Sequence, residues 1–219
     1  AILDNESTDE SVEIAKSLGC SIHTVKTENI LNDFTHHHLR NDVWKKSSAD
    51  WIIICDMDEL LCMTLKDLEK ESEKGTTLIK TQGYNIIADS QYSDLHDIDL
   101  GEINTAVKDN HYSKTVCFRK EFIHHMHYGA GGHASFPIGH KIQYSNTIYP
   151  LYHYKYLGFQ YVLTNYKQNY RRSHAMRMNG MALHYHENGD QIRRTMESMK
   201  NKAIDVISLS KIDSTDLDE

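Results

Sequence analysis

The sequence predicts an α/β protein with a central, mostly parallel sheet flanked by helices, and three observations carry that expectation. Helical and extended periodicities alternate along the chain. The run Trp51-Ile52-Ile53-Ile54-Cys55 is short, β-branched and apolar on both faces, as an interior strand of a parallel sheet is. Directly after it stands the acidic cluster Asp56-Met57-Asp58-Glu59, at the carboxyl end of a strand, where open α/β sheets bind their ligands.

Taken in order, Ile2-Leu3 runs into Asp4-Asn5-Glu6-Ser7-Thr8-Asp9, a cluster of turn and N-cap formers. Ser11 to Leu18 then places Val12, Ile14, Ala15 and Leu18 at helical spacing, and Gly19 stops that helix. Cys20 to Val25 alternates like a strand with one wet face. A second helix is expected over Asn29 to Lys46, broken by Ser47-Ser48-Ala49-Asp50 ahead of the apolar strand. Leu65 to Lys74 reads as a helix, and Thr76 to Thr81 and Tyr84 to Ala88 read as strands. Asp89 to Asn110 is polar, acidic and aperiodic, which reads as an exposed loop able to fold over a ligand. Lys114 to Arg119 and Ile142 to Tyr154 are further strands, Gln160 to Ser173 and Gln191 to Leu209 the closing helices, and Asp213 to Glu219 a frayed tail.

At 219 residues one domain over 1–219 is the expectation. A net charge of -7 argues against a protein that grips nucleic acid through phosphate charge. No apolar run approaches the roughly 20 residues of a membrane span. Cys20, Cys55, Cys62 and Cys117 are scattered without a C-x-x-C pair, which suits a reducing, cytoplasmic setting better than a disulfide or zinc scaffold. The opening Ala1-Ile2-Leu3-Asp4 reads as the tail of a strand, so a preceding segment is expected.

The acidic cluster carries the chemistry. Three carboxylates within four residues repel one another strongly when poorly solvated, so a fold that packs them on a buried strand neutralises them with a cation. Oxygen ligands favour Mg²⁺ or Mn²⁺, which complete their shells with water and substrate phosphates. The plainer alternative is an acidic turn capping a following helix.

These residues resemble the glycosyltransferases of the GT-A fold, a Rossmann-like fold, and among them the family 2-like group. Asp4-Asn5-Glu6-Ser7-Thr8-Asp9 is similar to that group's D-[DN]-x-S-x-D turn, and Trp51 to Leu60 to its W-I-I-x-x-D-x-D-E-L metal segment. Arg40-Asn41-x-x-Trp44-Lys45, Ser113-Lys114, Gly132-His133 and Leu151-Tyr152-His153-Tyr154-Lys155-Tyr156-Leu157 match further elements in family order, over residue 1 to about 186. In its compact form the chain is also similar to the glycosyltransferase domains of large algal DNA viruses that decorate capsid protein. The resemblance implies that Asp4 contacts the nucleobase, that Asp56 and Asp58 bind Mn²⁺ or Mg²⁺ and the donor diphosphate, and that His153 adds a metal ligand. Arg40 and Asn41 would belong to the donor pocket, and Lys114 and Lys155 would neutralise the leaving diphosphate. It also implies that the family's first strand and helix are missing ahead of Ala1.

Other histidines are weighed against ordinary packing. Adjacent side chains on one helix diverge, so His36-His37-His38 cannot chelate together. His124-His125-x-His127 raises the same question. His133 follows Gly129, Gly131 and Gly132, which let the backbone approach a substrate, and is a candidate for acceptor binding or catalysis. His184-Tyr185-His186-Glu187 and the alternating Tyr152, Tyr154 and Tyr156 suit half-buried packing as well as a sugar site.

The expected activity is metal-dependent transfer of a sugar from a nucleoside-diphosphate donor, UDP-linked rather than GDP-linked, to a hydroxyl on a glycan or glycoprotein. An inverting enzyme needs a base near the acceptor, with Glu59, Asp89, His133 and Glu187 as candidates; a retaining enzyme can do without one. The alternatives are a nucleotidyltransferase, which would want a Gly-rich basic phosphate loop, and a non-catalytic metal or glycan-binding domain.

Overall fold

The computed structural model describes residues 1–28, 30–31, 33–88, 95, 99–206 and 212–213. They fall into two compact units: residues 1–33 with 165–186, and residues 34–164 with 187–219. The smaller unit holds β1 (Ile2–Asp4), α1 (Ser11–Ser17) and β2 (Ile22–Thr24), with β1 and β2 paired parallel, Ile2 opposite Ile22. Gly19, at a φ of 78°, turns the chain out of α1 as the sequence predicts.

Among the described residues, the larger unit is built on an eight-stranded sheet. Helix α2 (Asp33–Asp42) and a 3₁₀ turn (Val43–Lys46) lead into β3 (Trp51–Ile53), β4 (Glu59–Leu61), α3 (Leu65–Glu73) and β5 (Leu78–Ile87). Then come β6 (Thr105–Lys108), β7 (Cys117–Arg119), the small hairpin β8 (Ile123–His125) with β9 (Ile138–Gly139), and the long β10 (Tyr144–Tyr156). Helix α4 (Phe159–Arg172) begins in this unit and ends in the other, where the short α5 (His174–Met178) follows it; α6 (Gly189–Lys200), β11 (Ile204–Asp205) and β12 (Ile212–Asp213) close the chain. The strand path runs β11, β6, β5, β10, β12, with β7 beside β5, β3 beside β7 and β4 beside β10.

The expectation of a mostly parallel sheet is corrected here. In the large sheet, among the described residues, only β5 with β10 runs parallel; every other pairing is antiparallel. A parallel partner needs a long crossover, which the stretch between β5 and β10 supplies. The apolar run at β3 misled for a simple reason. Its pairing to β7 is antiparallel, Ile52 is buried, and Ile53 on the other face is 48% exposed, so outward as well as inward positions happen to be apolar.

Three element boundaries also move. The strands expected at Thr76 to Thr81 and Tyr84 to Ala88 are one strand, β5. The closing helix expected over Gln191 to Leu209 ends at Lys200, and β11 follows; residues 207–209 lie outside those described, as do 214–219 of the expected tail. The expected loop Asp89 to Asn110 contains β6, whose Thr105-Ala106-Val107-Lys108 buries only Ala106 fully, too little apolar text to announce a strand. Residues 89–94 and 96–98 of that stretch are outside those described.

Neighbouring residues on the sheet feed opposite cores, because side chains alternate along a strand. Ile52, Leu78 and Phe118 pack with Trp44 and Tyr128 on one face. Leu61, Ile79, Cys117 and Leu151 pack with Tyr149 on the other. Tyr152 and Tyr154, partly buried, pack against a third cluster around Tyr84, Ile86 and Leu157.

One close approach fixes the site. Between its pairings with β7 and β6, β5 is crossed by a 3₁₀ turn, Asn110–Tyr112, held at Gly83: Asp109 N–H donates to Gly83 O at 2.9 Å and Gly83 N–H to Ser113 Oγ at 3.0 Å. A Cβ on Gly83 would sit 2.6 Å from both Tyr112 Cβ and the Tyr112 carbonyl oxygen. Gly83→Ala is therefore expected to push the turn off the strand, lowering stability by about 1–3 kcal/mol in chemical denaturation.

Candidate active site

The acidic cluster forms the turn between β3 and β4. Glu59 N–H donates to Asp56 O at 3.0 Å, and Asp56 N–H donates back to Glu59 Oε2 at 3.1 Å. The turn is thus locked by its own carboxylate, and it leads into a strand, not into the helix a capping role would require. Antiparallel register sets His153 of β10 opposite Glu59, and Tyr154 N–H donates to Asp58 O at 2.8 Å, which places the Asp58 side chain beside the His153 ring.

Two layers result. In the inner one, Lys114 is 2% exposed and its Nζ lies 2.5 Å from Glu59 Oε1 and 3.1 Å from Asp56 Oδ2. Arg40, from the last turn of α2, pairs through Nη2 with Asp56 Oδ1. Burial alone would raise the Asp56 carboxyl, but Arg40 and Lys114 outweigh it and hold the group below the usual carboxylate range. In the outer layer, His153 Nε2 stands 3.2 Å from Asp58 Oδ2, and the Asp58 side chain is 44% exposed. Lys155, two residues beyond His153 on β10 and within electrostatic reach of Asp58, brings positive charge there. Burial lowers its pKa, against the opposing pull of Asp58, Glu187 and Asp109.

The sequence-predicted residues accordingly separate. Asp56, Glu59, Arg40 and Lys114 form one ion cluster. Glu59, expected as a possible base, has a side chain with no exposure and serves as the counter-ion of Lys114. Lys114, expected at the leaving diphosphate, is enclosed by two carboxylates. Asn41 clamps the next loop: its Nδ2 donates to Tyr128 O at 3.2 Å, and its Oδ1 accepts from Tyr128 N–H at 2.9 Å. Asp4 ends β1 in the smaller unit, accepting Ser7 N–H at 3.1 Å. Asp89 lies outside the described residues.

His133 follows that clamped loop. Its ring stacks on His111 at 3.9 Å between centroids and meets the edge of Tyr112, whose ring in turn lies 4.1 Å from that of His153. Gly131 and Gly132, at φ of 62° and 69°, make the turn possible, and a Cβ on Gly132 would come within 2.7 Å of Arg40 Nη1. His133 Nδ1 lies 3.0 Å from His111 O. A carbonyl only accepts, so Nδ1 carries the proton and Nε2 keeps its lone pair in the neutral ring. Burial, aided by Lys114, pushes the His133 pKa down from 6.5 to about 4.

That depression has a measurable consequence. An unfolded chain takes up a proton at this imidazole near pH 6.5, whereas the folded chain resists until about 4, so acidification across that window favours unfolding through His133. His133→Asn is expected to flatten the loss of stability between pH 6.5 and 4, as measured by urea midpoints across that range.

Whether a divalent cation suits these residues can be tested on donor spacing. Two adjacent ligands of an octahedral ion with bonds of roughly 2.1 Å stand about 3 Å apart, and Asp58 Oδ2 with His153 Nε2 meet that spacing at 3.2 Å. Asp56 does not join them, because both its oxygens face cations. Among the described residues no three His, Cys, Asp or Glu side chains come together as a metal-holding group, the histidines at 36–38 and 124–127 included. The residues present thus fit a two-ligand site that leaves most of the shell to water and substrate oxygens.

Residues that the sequence reading passed over complete the surroundings. Tyr112 and His111 bridge His133 to His153, and Asn85 and Asp109 stand behind His153. A lone asparagine inside the apolar strand text Tyr84-Asn85-Ile86-Ile87-Ala88 was the available signal. Among the described residues no helix is long and apolar enough to cross a membrane. Compared with protein-family models and with curated proteins, the chain matches none.

Proposed function

We propose that the chain is a metal-dependent glycosyltransferase that moves a sugar from a nucleoside diphosphate, UDP foremost, to a hydroxyl acceptor on a glycan or glycoprotein. The observation that carries the reading is the Asp58–His153 pair, a carboxylate and an imidazole at cation spacing on the exposed side of a buried ion cluster. In this reading Asp58 and His153 would hold Mn²⁺ or Mg²⁺, and the ion would supply charge stabilisation to the departing diphosphate.

The chain's own groups have distinct tasks. Glu59 and Asp56 fix Lys114 and Arg40, which sets the turn carrying Asp58. Lys155 adds positive charge to a site that must accept phosphate. Neutral His133, with Nδ1–H committed to His111 O, offers Nε2 to the hydrogen of an acceptor hydroxyl and can take that proton as the hydroxyl oxygen attacks. Its low pKa keeps it unprotonated at neutral pH, at the cost of weak basicity.

A hydrolysis screen across UDP-, GDP- and other nucleotide sugars, each with Mn²⁺, Mg²⁺ and EDTA, tests the proposal. Metal-dependent release of nucleoside diphosphate from one donor class is expected. No turnover of any donor, together with no metal-dependent binding of a nucleoside diphosphate, would overturn it.

A further inference from the structure

We infer that Asp109 and Asn85 are positioning residues that fix His153 in the tautomer protonated at Nδ1, so that its Nε2 lone pair is aimed at the cation shared with Asp58. The inference rests on the metal reading above, and deepens it by naming what makes the imidazole a ligand.

The geometry leaves each atom one role. Asn85 Nδ2 lies 2.8 Å from Asp109 Oδ2, and Asn85 Oδ1 lies 2.9 Å from His153 Nδ1. An ionised carboxylate only accepts, so the amide must turn its NH₂ to Asp109 and its oxygen to the imidazole. That oxygen also only accepts, so Nδ1 must carry hydrogen. Asp109 cannot easily turn away, because its other oxygen accepts His111 N–H at 3.0 Å and thereby starts the turn that bears His111 and Tyr112. Parallel register makes Asn85 and His153 direct neighbours on β5 and β10, and they are 1% and 6% exposed, so water cannot substitute for either partner. The Tyr112 ring against His153 fixes the remaining freedom, the ring plane.

The consequence falls on the other nitrogen. In the neutral ring Nε2 is an acceptor facing another acceptor, Asp58 Oδ2, at 3.2 Å. Two such groups repel unless something positive joins them, either a proton on Nε2, which makes an ion pair, or a divalent cation, which takes both as ligands. Outer hydrogen bonds of this kind orient metal-bound imidazoles and are worth about 10–100-fold in metal affinity.

The test reads the tautomer first and the metal second. In metal-free, ¹⁵N-histidine-labelled protein under mildly alkaline conditions, the His153 ring shifts should report Nδ1–H. Asp109→Ala, at a half-buried turn position, frees the Asn85 amide to rotate and should give a mixture of tautomers, whereas Asp109→Glu, which keeps two accepting oxygens for the Asn85 amide and the His111 N–H, should restore Nδ1–H. Mn²⁺ titrations followed by electron paramagnetic resonance should show affinity falling about 10–100-fold in Asp109→Ala and recovering in Asp109→Glu. An Nε2–H tautomer in the unsubstituted protein, or one unmoved by Asp109→Ala in folded protein, would overturn the inference. Tautomers that behave as expected while Mn²⁺ binds none of the proteins would uphold the positioning role and reject the metal reading instead.

Discussion

Replacing Lys114 with methionine should lower the stability of the larger unit by about 3–5 kcal/mol, the scale expected when one partner of a buried ion pair is removed. Methionine keeps much of the chain length and loses the charge. Glu59 would then hold an ionised carboxylate with no solvent exposure, and Asp56 would keep only Arg40. Glu59→Gln alone should cost less, because Lys114 would still face Asp56 at 3.1 Å. The double variant Lys114→Met/Glu59→Gln should recover a large part of the loss, since the stranded charge goes with its partner. Both tryptophans, Trp44 and Trp51, lie in this unit, so their emission during urea denaturation reports its unfolding. An unchanged midpoint in Lys114→Met would mean that the ion cluster does not hold the turn.

What the sequence made legible follows from what local pattern can encode. The turn after an apolar strand was visible because three carboxylates in four residues directly follow five apolar ones, where poor solvation makes their repulsion costly. The helices showed through their periodicity, and their caps, although not used in placing them, are equally local: Thr64 accepts Asp67 N–H at α3 and Asn188 accepts Gln191 N–H at α6, each within four residues of sequence. Strand direction is not local. Nothing in Trp51-Ile52-Ile53 distinguishes a parallel from an antiparallel partner, and the exposed Ile53 removed the alternation that would have given one face to water.

The site divided along the same line. His153 stood out within a strand-like element of alternating aromatics, but its support did not, because Asn85 and Asp109 are 68 and 44 residues away in sequence and meet it only through the pairing of β5 with β10 and the turn at Gly83. The separation of Asp56 from Asp58 was equally hidden. Residues two apart in a turn carry no label saying which one meets Arg40 from α2 and Lys114 from beyond β6, and which one stays open.

That separation yields the sharpest functional contrast. Asp58→Asn should abolish the Mn²⁺-dependent part of UDP binding, a loss of about 100-fold or more, or roughly 2.7 kcal/mol. The amide keeps the size of the side chain but presents a neutral oxygen or an NH₂ beside His153 Nε2, and it removes the carboxylate that faces that nitrogen. Asp56→Asn should behave differently. Both oxygens of Asp56 are taken by Arg40 and Lys114, so the change weakens the ion cluster and lowers the denaturation midpoint while leaving Mn²⁺ affinity within a few fold. Calorimetric titrations of UDP with Mn²⁺ and with EDTA, run beside denaturation curves for both variants, separate the two effects. If Asp56→Asn loses the metal-dependent binding and Asp58→Asn keeps it, the cation belongs with Asp56. Arg40 and Lys114 must then yield that carboxylate when the donor arrives, and the pairing of Asp58 with His153 serves the fold instead of the reaction.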